Sequence, residues 1–267
     1  MKNIILFDMD GTLTEPRKCV EKKIHKILRY LVIECKAEIG IVTGSGMEYI
    51  QEQVWPLVND VVLKTSVHLL PCNGTEYWTP PERAHLGHML KSKADMQEHI
   101  GDFTFRDMMT VLCDLQVRMI NEYSFPLTGN FISNRKSMVN WCPIGRNADN
   151  ADRELWKNID SKNNIRSKYF NILNHELDKL GVGKEFHTSI GGSTSFDITP
   201  VGWDKSYALN HISPKDYKIW FVGDKCGPYG NDKPLFEIFK PLNRAYETLG
   251  PDDTVRIITE YIIPDIG

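Results

Sequence analysis

The sequence predicts an α/β protein with a doubly wound, Rossmann-like core and an inserted α+β domain. Three observations carry the prediction. Apolar runs at residues 4–7, 39–42 and 219–222 are short and each ends in turn chemistry rich in Gly, Asp, Ser or Thr, as buried parallel strands do. Between the first two runs lies a segment of helical periodicity, which makes a β-α-β unit. The texture then changes after Pro80-Pro81 and returns from Trp203 onward, as it would if one domain interrupted another.

Taken in order, residues 4–7 form the first strand, bounded by Asp-Gly turn chemistry. Val20, Ile24, Ile27, Leu28, Leu31 and Val32 recur at helical spacing. The second strand, 39–42, runs into Thr43-Gly44-Ser45-Gly46, and Met47, Ile50, Val54, Trp55 and Val58 continue as a helix. Residues 61–70 supply another strand region, and Asn73-Gly74 marks a turn. Parallel crossovers of this kind put ligands at the carboxyl ends of the strands.

Beyond the two prolines a polar stretch holds His85, His88 and His99, and Phe105, Met108, Met109, Leu112, Leu115, Met119 and Ile120 then form a long amphipathic pattern. His85-x-x-His88 lacks a third ligand at a clear spacing and reads as solvated surface. Residues 131–132 and 138–141 read as a strand pair, Ile165 to Leu177 as a helix closed by Gly181, and 186–190 with 195–198 as a second pair. Residues 219–222 form a buried strand ending in Gly223-Asp224, and Val255, Ile258 and 261–263 a terminal helix. The expected division is a core of 1–84 with 201–267 and an inserted domain of 85–200.

Composition narrows the function classes. Of 267 residues, 41% are hydrophobic and 25% charged, which excludes disorder, collagen-like repeats and a coiled coil as the main architecture. Thirty-two basic against 35 acidic residues give a net charge of -3, no bulk footprint for nucleic acid or an anionic membrane. Any anionic substrate must meet a local cluster of cations. The N-terminus has only four apolar residues before an acid, and no run approaches the ~18 of a membrane span, so a cytosolic protein is expected. The six cysteines form no C-x-x-C pair; they are expected to be reduced, with no zinc or redox site.

The chemistry begins at Asp8-Met9-Asp10-Gly11-Thr12-Leu13-Thr14, at the carboxyl end of the first strand. This D-x-D-G-T-L-T string is similar to the nucleophile motif of the haloacid dehalogenase superfamily. A carboxylate that attacks a phosphoryl group in line forms an aspartyl-phosphate and splits one hard transfer into two easier ones, the part that falls to Asp8. A second carboxyl on the turn beyond can protonate the leaving sugar oxygen and later take a proton from the incoming hydroxyl, which suits Asp10 as general acid and base. Two anions and a phosphate sharing one pocket require a hard dication, and Mg2+ with oxygen ligands is expected. Gly223-Asp224-Lys225 with Gly230-Asn231-Asp232 follows the strand at 219–222 and resembles the superfamily's acidic metal motif, so the expected ligands are Asp8, Asp10, Asp224 and Asp232. Lys205 in Gly202-Trp203-Asp204-Lys205 is the cation that holds Asp8 and offsets charge on the transferring group.

Within that superfamily the chain resembles the eukaryotic-type phosphomannomutase family. The resemblance rests on Asn134-Arg135-Lys136-Ser137-Met138-Val139-Asn140-Trp141-Cys142-Pro143-Ile144-Gly145-Arg146, on Arg153, on Ser189 to Asp197, and on Pro16-Arg17 and Gln51-Glu52-Gln53. It runs through almost the whole chain and is weakest between about 75 and 130. The resemblance implies a haloacid dehalogenase core with a type C2b cap. It implies a dimer through the cap, no nucleic-acid or membrane partner, and hexose 6- and 1-phosphates interconverted with a hexose 1,6-bisphosphate as activator. It assigns Arg17, Arg135, Arg146 and Arg153 to substrate phosphate, and Ser195 and Asp197 to cap residues that hold sugar or phosphate. Guanidinium forks grip a non-reacting phosphate bidentately, which agrees. Three departures stand out. Thr43-Gly44-Ser45-Gly46 replaces the usual Gly-Gly-Ser-Asp, making Thr43 a candidate phosphoryl ligand and leaving open a drift toward a sugar-phosphate phosphatase. Cys72 replaces a glutamate, and residues 80–97 look inserted.

Overall fold

The computed structural model describes residues 1–228 and 230–266. Along the chain run β1 (Lys2–Phe7), α1 (Lys22–Ile33), β2 (Glu38–Val42), α2 (Met47–Gln53), α3 (Trp55–Val58), β3 (Val67–Leu70), β4 (Glu76–Thr79) and β5 (Met89–Lys93). Then come α4 (Met96–Ile100), α5 (Asp102–Glu122), β6 (Ile132–Asn134), β7 (Val139–Trp141), α6 (Asn150–Asn163), α7 (Ile165–Lys179), β8 (Phe186–Gly191) and β9 (Ser195–Pro200). The last segment holds β10 (Tyr217–Gly223), α8 (Lys233–Phe239), β11 (Ala245–Glu247), α9 (Pro251–Ile257) and α10 (Ile263–Ile266). Two compact units result, one of Met1–Lys93 with the chain from Trp203 onward, the other of Ala94–Gly202.

The first unit is built on one sheet of order β11-β10-β1-β2-β3-β4-β5. It is parallel from β11 to β3 and antiparallel from β3 to β5. Strand side chains alternate between faces, so Ile5 and Phe7 enter a cluster with Ile24, Leu28 and Leu31 of α1, while Ile4 and Leu6 enter another with Leu235 and Phe239 of α8. Covering both faces is what lets β1 be apolar at every position from Ile4 to Phe7. Strand order reverses between β1 and β10: the chain leaves β1 toward β2 and β3 and returns on the other side. That switch point is where an open α/β sheet leaves a crevice.

The second unit is a four-stranded antiparallel sheet of order β6-β7-β9-β8. Trp141 and Phe196 stack at 4.6 Å on its inner face, and the Trp141 indole donates to Gln116 of α5 at 2.7 Å. Tyr169 of α7 meets the same tryptophan edge-on.

Several elements differ from expectation for definable reasons. The boundary at 84/85 moves, because β5 pairs with β4, Tyr77 opposite Ser92 and Thr79 opposite Met89. β5 is an exposed sheet edge, so its residues carry no apolar run to announce a strand. Residues 61–66 are not strand; a 3-10 turn at Leu63–Ser66 precedes β3. Helix α6 buries only Trp156 and Asp160 and therefore has no apolar stripe; a capping box between Asp149 and Asp152 was the local signal. Among the described residues no helix is long and apolar enough to cross a membrane.

Candidate active site

Asp8 follows β1 directly, and its amide donates to Val222 O of β10 at 2.9 Å, fixing it at the switch point. The side chain is 6% exposed. Lys205 opens the 3-10 turn Lys205–Asn210, which Asp204 caps by accepting from the Ser206 amide at 2.8 Å. Its ammonium is wholly buried and bridges Asp8 Oδ1 and Asp232 Oδ1, the latter at 2.5 Å. Asp232 spends its other oxygen on the Lys225 amide at 2.9 Å, which closes the loop after β10. Asp224 lies on that loop, and oxygens of Asp8, Asp224 and Asp232 fall within 4.8 Å of one another. Gly11 has φ +86°, and a Cβ there would run into the Asp224 carboxylate, so glycine is required by both conformation and space.

Burial pushes Asp8 up to about 6, with Lys205 working against the rise and Asp232 adding to it. Asp224 is also raised, chiefly by burial. Burial opposes the charge on Lys205, yet Asp8 and Asp232 outweigh it and hold the ammonium above its ordinary range. Three carboxylates against one ammonium leave a surplus of two negative charges among all-oxygen donors. That donor set fits a hard divalent cation and gives a soft one no thiolate or imidazole.

Asp10 is not in this group. Its carboxylate accepts from the Arg17 amide at 3.0 Å, folding the loop back so that Arg17 sits exposed with φ 61°. Thr12, which the sequence offered only as part of a motif, brings its hydroxyl to 3.5 Å from Asp8 Oδ2. Thr43 is buried at the carboxyl end of β2 and accepts from the Ser45 amide at 3.1 Å.

In the second unit Ser195 and Asp197 lie two apart on β9 and share a face. Burial raises Asp197, while a hydrogen bond from Asn140 and the charges of Arg135 and Arg146 pull it down, so these four residues form one cluster. Arg153 lies in the first turn of α6, its Nε donating to Ala148 O at 3.1 Å. Asn140 was quoted in the sequence only as part of a string; nothing in its spacing marked it.

The model of the eukaryotic phosphomannomutase family matches residues 24–264. The chain belongs to this family. It is 34% identical to a phosphomannomutase of Drosophila melanogaster over 97% of this chain and 95% of that protein. It is 33% identical to one of Saccharomyces cerevisiae over 97% and 94%. Among solved structures, a haloacid dehalogenase-like hydrolase from Bacteroides thetaiotaomicron superposes with a TM-score of 0.58 at 15% identity, covering 97% of this chain and 99% of that one. The trehalose-6-phosphate phosphatase of Aspergillus fumigatus gives 0.57 at 14%, covering 97% and 91%. Both show a haloacid dehalogenase fold.

Thr43 to Gly46 and Cys72-Asn73 lie on two loops that are zipped together. Asn73 N donates to Thr43 O at 2.8 Å and Cys72 N to Ser45 O at 2.9 Å. A Cβ on Gly46 would meet the Glu48 carboxylate at 2.5 Å, so a side chain at 46 would have to displace Glu48.

Proposed function

We propose that this chain is a phosphomannomutase that exchanges a phosphoryl group between O6 and O1 of a hexose, with a hexose 1,6-bisphosphate as activator. The observation that carries the reading is the buried contact of Asp8 with Lys205 beside Asp232, in a chain a third identical to phosphomannomutases along nearly its full length. Asp8 attacks a phosphoryl group of the bisphosphate in line and becomes an aspartyl-phosphate, while Asp10 gives a proton to the departing sugar oxygen. The hydroxyl of a hexose monophosphate then attacks the aspartyl-phosphate, Asp10 takes its proton, and Asp8 is regenerated. Lys205 holds Asp8 in its attacking rotamer and opposes charge on the transferring oxygens. Asp8, Asp224 and Asp232 would hold Mg2+, which when bound would supply neutralisation of the phosphoryl oxygens. In the second unit Arg135, Arg146 and Arg153 grip the non-reacting phosphate; in the first, Arg17 is a further phosphate ligand and the buried Thr43 hydroxyl is a donor to the reacting phosphoryl group. The same reading takes the enzyme as a cytosolic homodimer joined through the inserted domain, which sedimentation of the purified chain checks.

The test is a coupled assay with mannose 1-phosphate and glucose 1-phosphate, with and without added bisphosphate, while free phosphate is followed. Isomer formation that depends on bisphosphate supports the mutase. Stoichiometric phosphate release without isomer means that water takes the aspartyl-phosphate instead, and the protein is a sugar-phosphate phosphatase.

A further inference from the structure

One polar row crosses all four strands of the second unit's sheet. Ser133 of β6 stands opposite Asn140 of β7, Asn140 opposite Asp197 of β9, and Asp197 opposite Ser189 of β8. Directly opposed residues of antiparallel strands share a face. The adjoining row, with Trp141 and Phe196, is packed against α5 and α7, so the polar row lies on the other face. Within it Asn140 is 3% exposed and donates through Nδ2 to Asp197 Oδ1 at 2.6 Å. A carboxylate cannot donate, so this bond fixes the amide orientation and turns Asn140 Oδ1 away from Asp197. That oxygen is buried and has no partner. On the opposite side a Cβ on Gly191 of β8 would collide with Asp197 Oδ2, so a neighbour without a side chain leaves the carboxylate its place.

A buried amide aimed at a carboxylate that Arg135 and Arg146 also flank serves direction more than charge. An anion repels phosphate, so what Asp197 can accept from a hexose phosphate is a hydroxyl. We infer that Asn140 is a positioning residue which holds Asp197 in one rotamer as the acceptor for a sugar hydroxyl, an inference that rests on the phosphomannomutase reading for its choice of ligand. The groups facing Asp197 are Asn140 from β7, Arg135 from the turn between β6 and β7, Arg146 from the loop after β7, and the Gly191 backbone from β8.

The test is titration calorimetry of the full chain with Mg2+ and mannose 1-phosphate, without bisphosphate so that nothing turns over. Asn140→Leu, near in volume but unable to donate, should raise Kd about 10-fold, as expected for a lost hydrogen bond to a charged group. Asn140→Asp carries the diagnostic signature. Two carboxylates this close share a proton in acid, so Asp197 regains a donor there and loses it in base. The ratio of variant to wild-type Kd should stay within about 3-fold at pH 5.5 and rise to about 10-fold or more by pH 8.5. A residue important only for folding would lower the melting temperature without giving that pH dependence. A pH-independent ratio for Asn140→Asp, or unchanged affinity in Asn140→Leu, overturns the inference. Binding is measured apart from turnover, so a wild-type protein that binds mannose 1-phosphate yet makes no isomer refutes the mutase reading alone, and one that does not bind it refutes both.

Discussion

Asp8→Asn should produce a protein that is dead and more stable. The amide cannot form an acyl phosphate, so turnover should fall by several powers of ten. Stability should move the other way. Burial raises the Asp8 carboxyl from 3.8 to about 6, so the folded state binds this proton more tightly than the unfolded chain does. Ionised Asp8 therefore costs stability above pH 6, and the cost disappears as pH falls below 3.8. At about 1.36 kcal/mol per pH unit, the rise corresponds to a few kcal/mol at pH 8 and to little at pH 4. Asparagine mimics the protonated acid and removes the cost. In chelator, thermal melts followed by circular dichroism should put the variant about 6 to 12 °C above wild type at pH 8 and nearly level with it at pH 4. A variant that melts at or below wild type at pH 8, or a gap that does not close in acid, would refute the reasoning, as would a variant keeping a tenth of the wild-type rate.

Activity should vanish in chelator and return with Mg2+, and Asp224→Ala should block the return; full turnover by the metal-free protein would contradict the role given to the carboxylates. Arg146→Ala should lower kcat/KM about 10- to 100-fold, a charge-assisted pair being lost, while phosphate release rises relative to isomerisation; an unchanged partition in steady-state assays would count against the arginine's part. Glu38 is held down at about 2 because, although burial works against its charge, hydrogen bonds from His68, Lys2 and Tyr217 outweigh that cost. Its stabilisation is present above about 4.5 and lost as pH falls toward 2, so Glu38→Gln should cost about 2 kcal/mol near neutrality and little in strong acid, read from urea midpoints across pH.

The core was legible because its signals are local. A four-residue apolar run followed by D-x-D-G-T is a buried strand feeding a turn, and β1 with Asp8 stands where that pattern puts it. Elements whose stability comes from elsewhere were hidden. β11 is three residues long, and α8 follows a loop of Gly, Pro, Asn and Asp that reads as loop throughout. The site shows the same divide. Asp224 and Asp232 were visible as a motif, but that Asp232 divides its oxygens between Lys205 and the Lys225 amide depends on how the loop closes. Asn140 was invisible for a stricter reason: its meaning comes from register, since one residue's slip of β7 against β9 would turn it to the other face.

The return of the chain to β1 bears on how the protein is made. Asp8 and Lys205 are 197 positions apart, and β1 gains its second neighbour only when β10 exists. Synthesis runs from the N-terminus, so the contiguous stretch Ala94–Gly202 leaves the ribosome complete while β1 still has one open flank. Contacts this distant in sequence close slowly, because a long loop must be drawn in before any burial rewards it. The nascent chain therefore carries an apolar strand with unpaired amides until its last quarter emerges, and the nucleophile's pocket is among the last things to form. Truncations that remove β10 should then abolish not only catalysis but the solubility of everything upstream of β5.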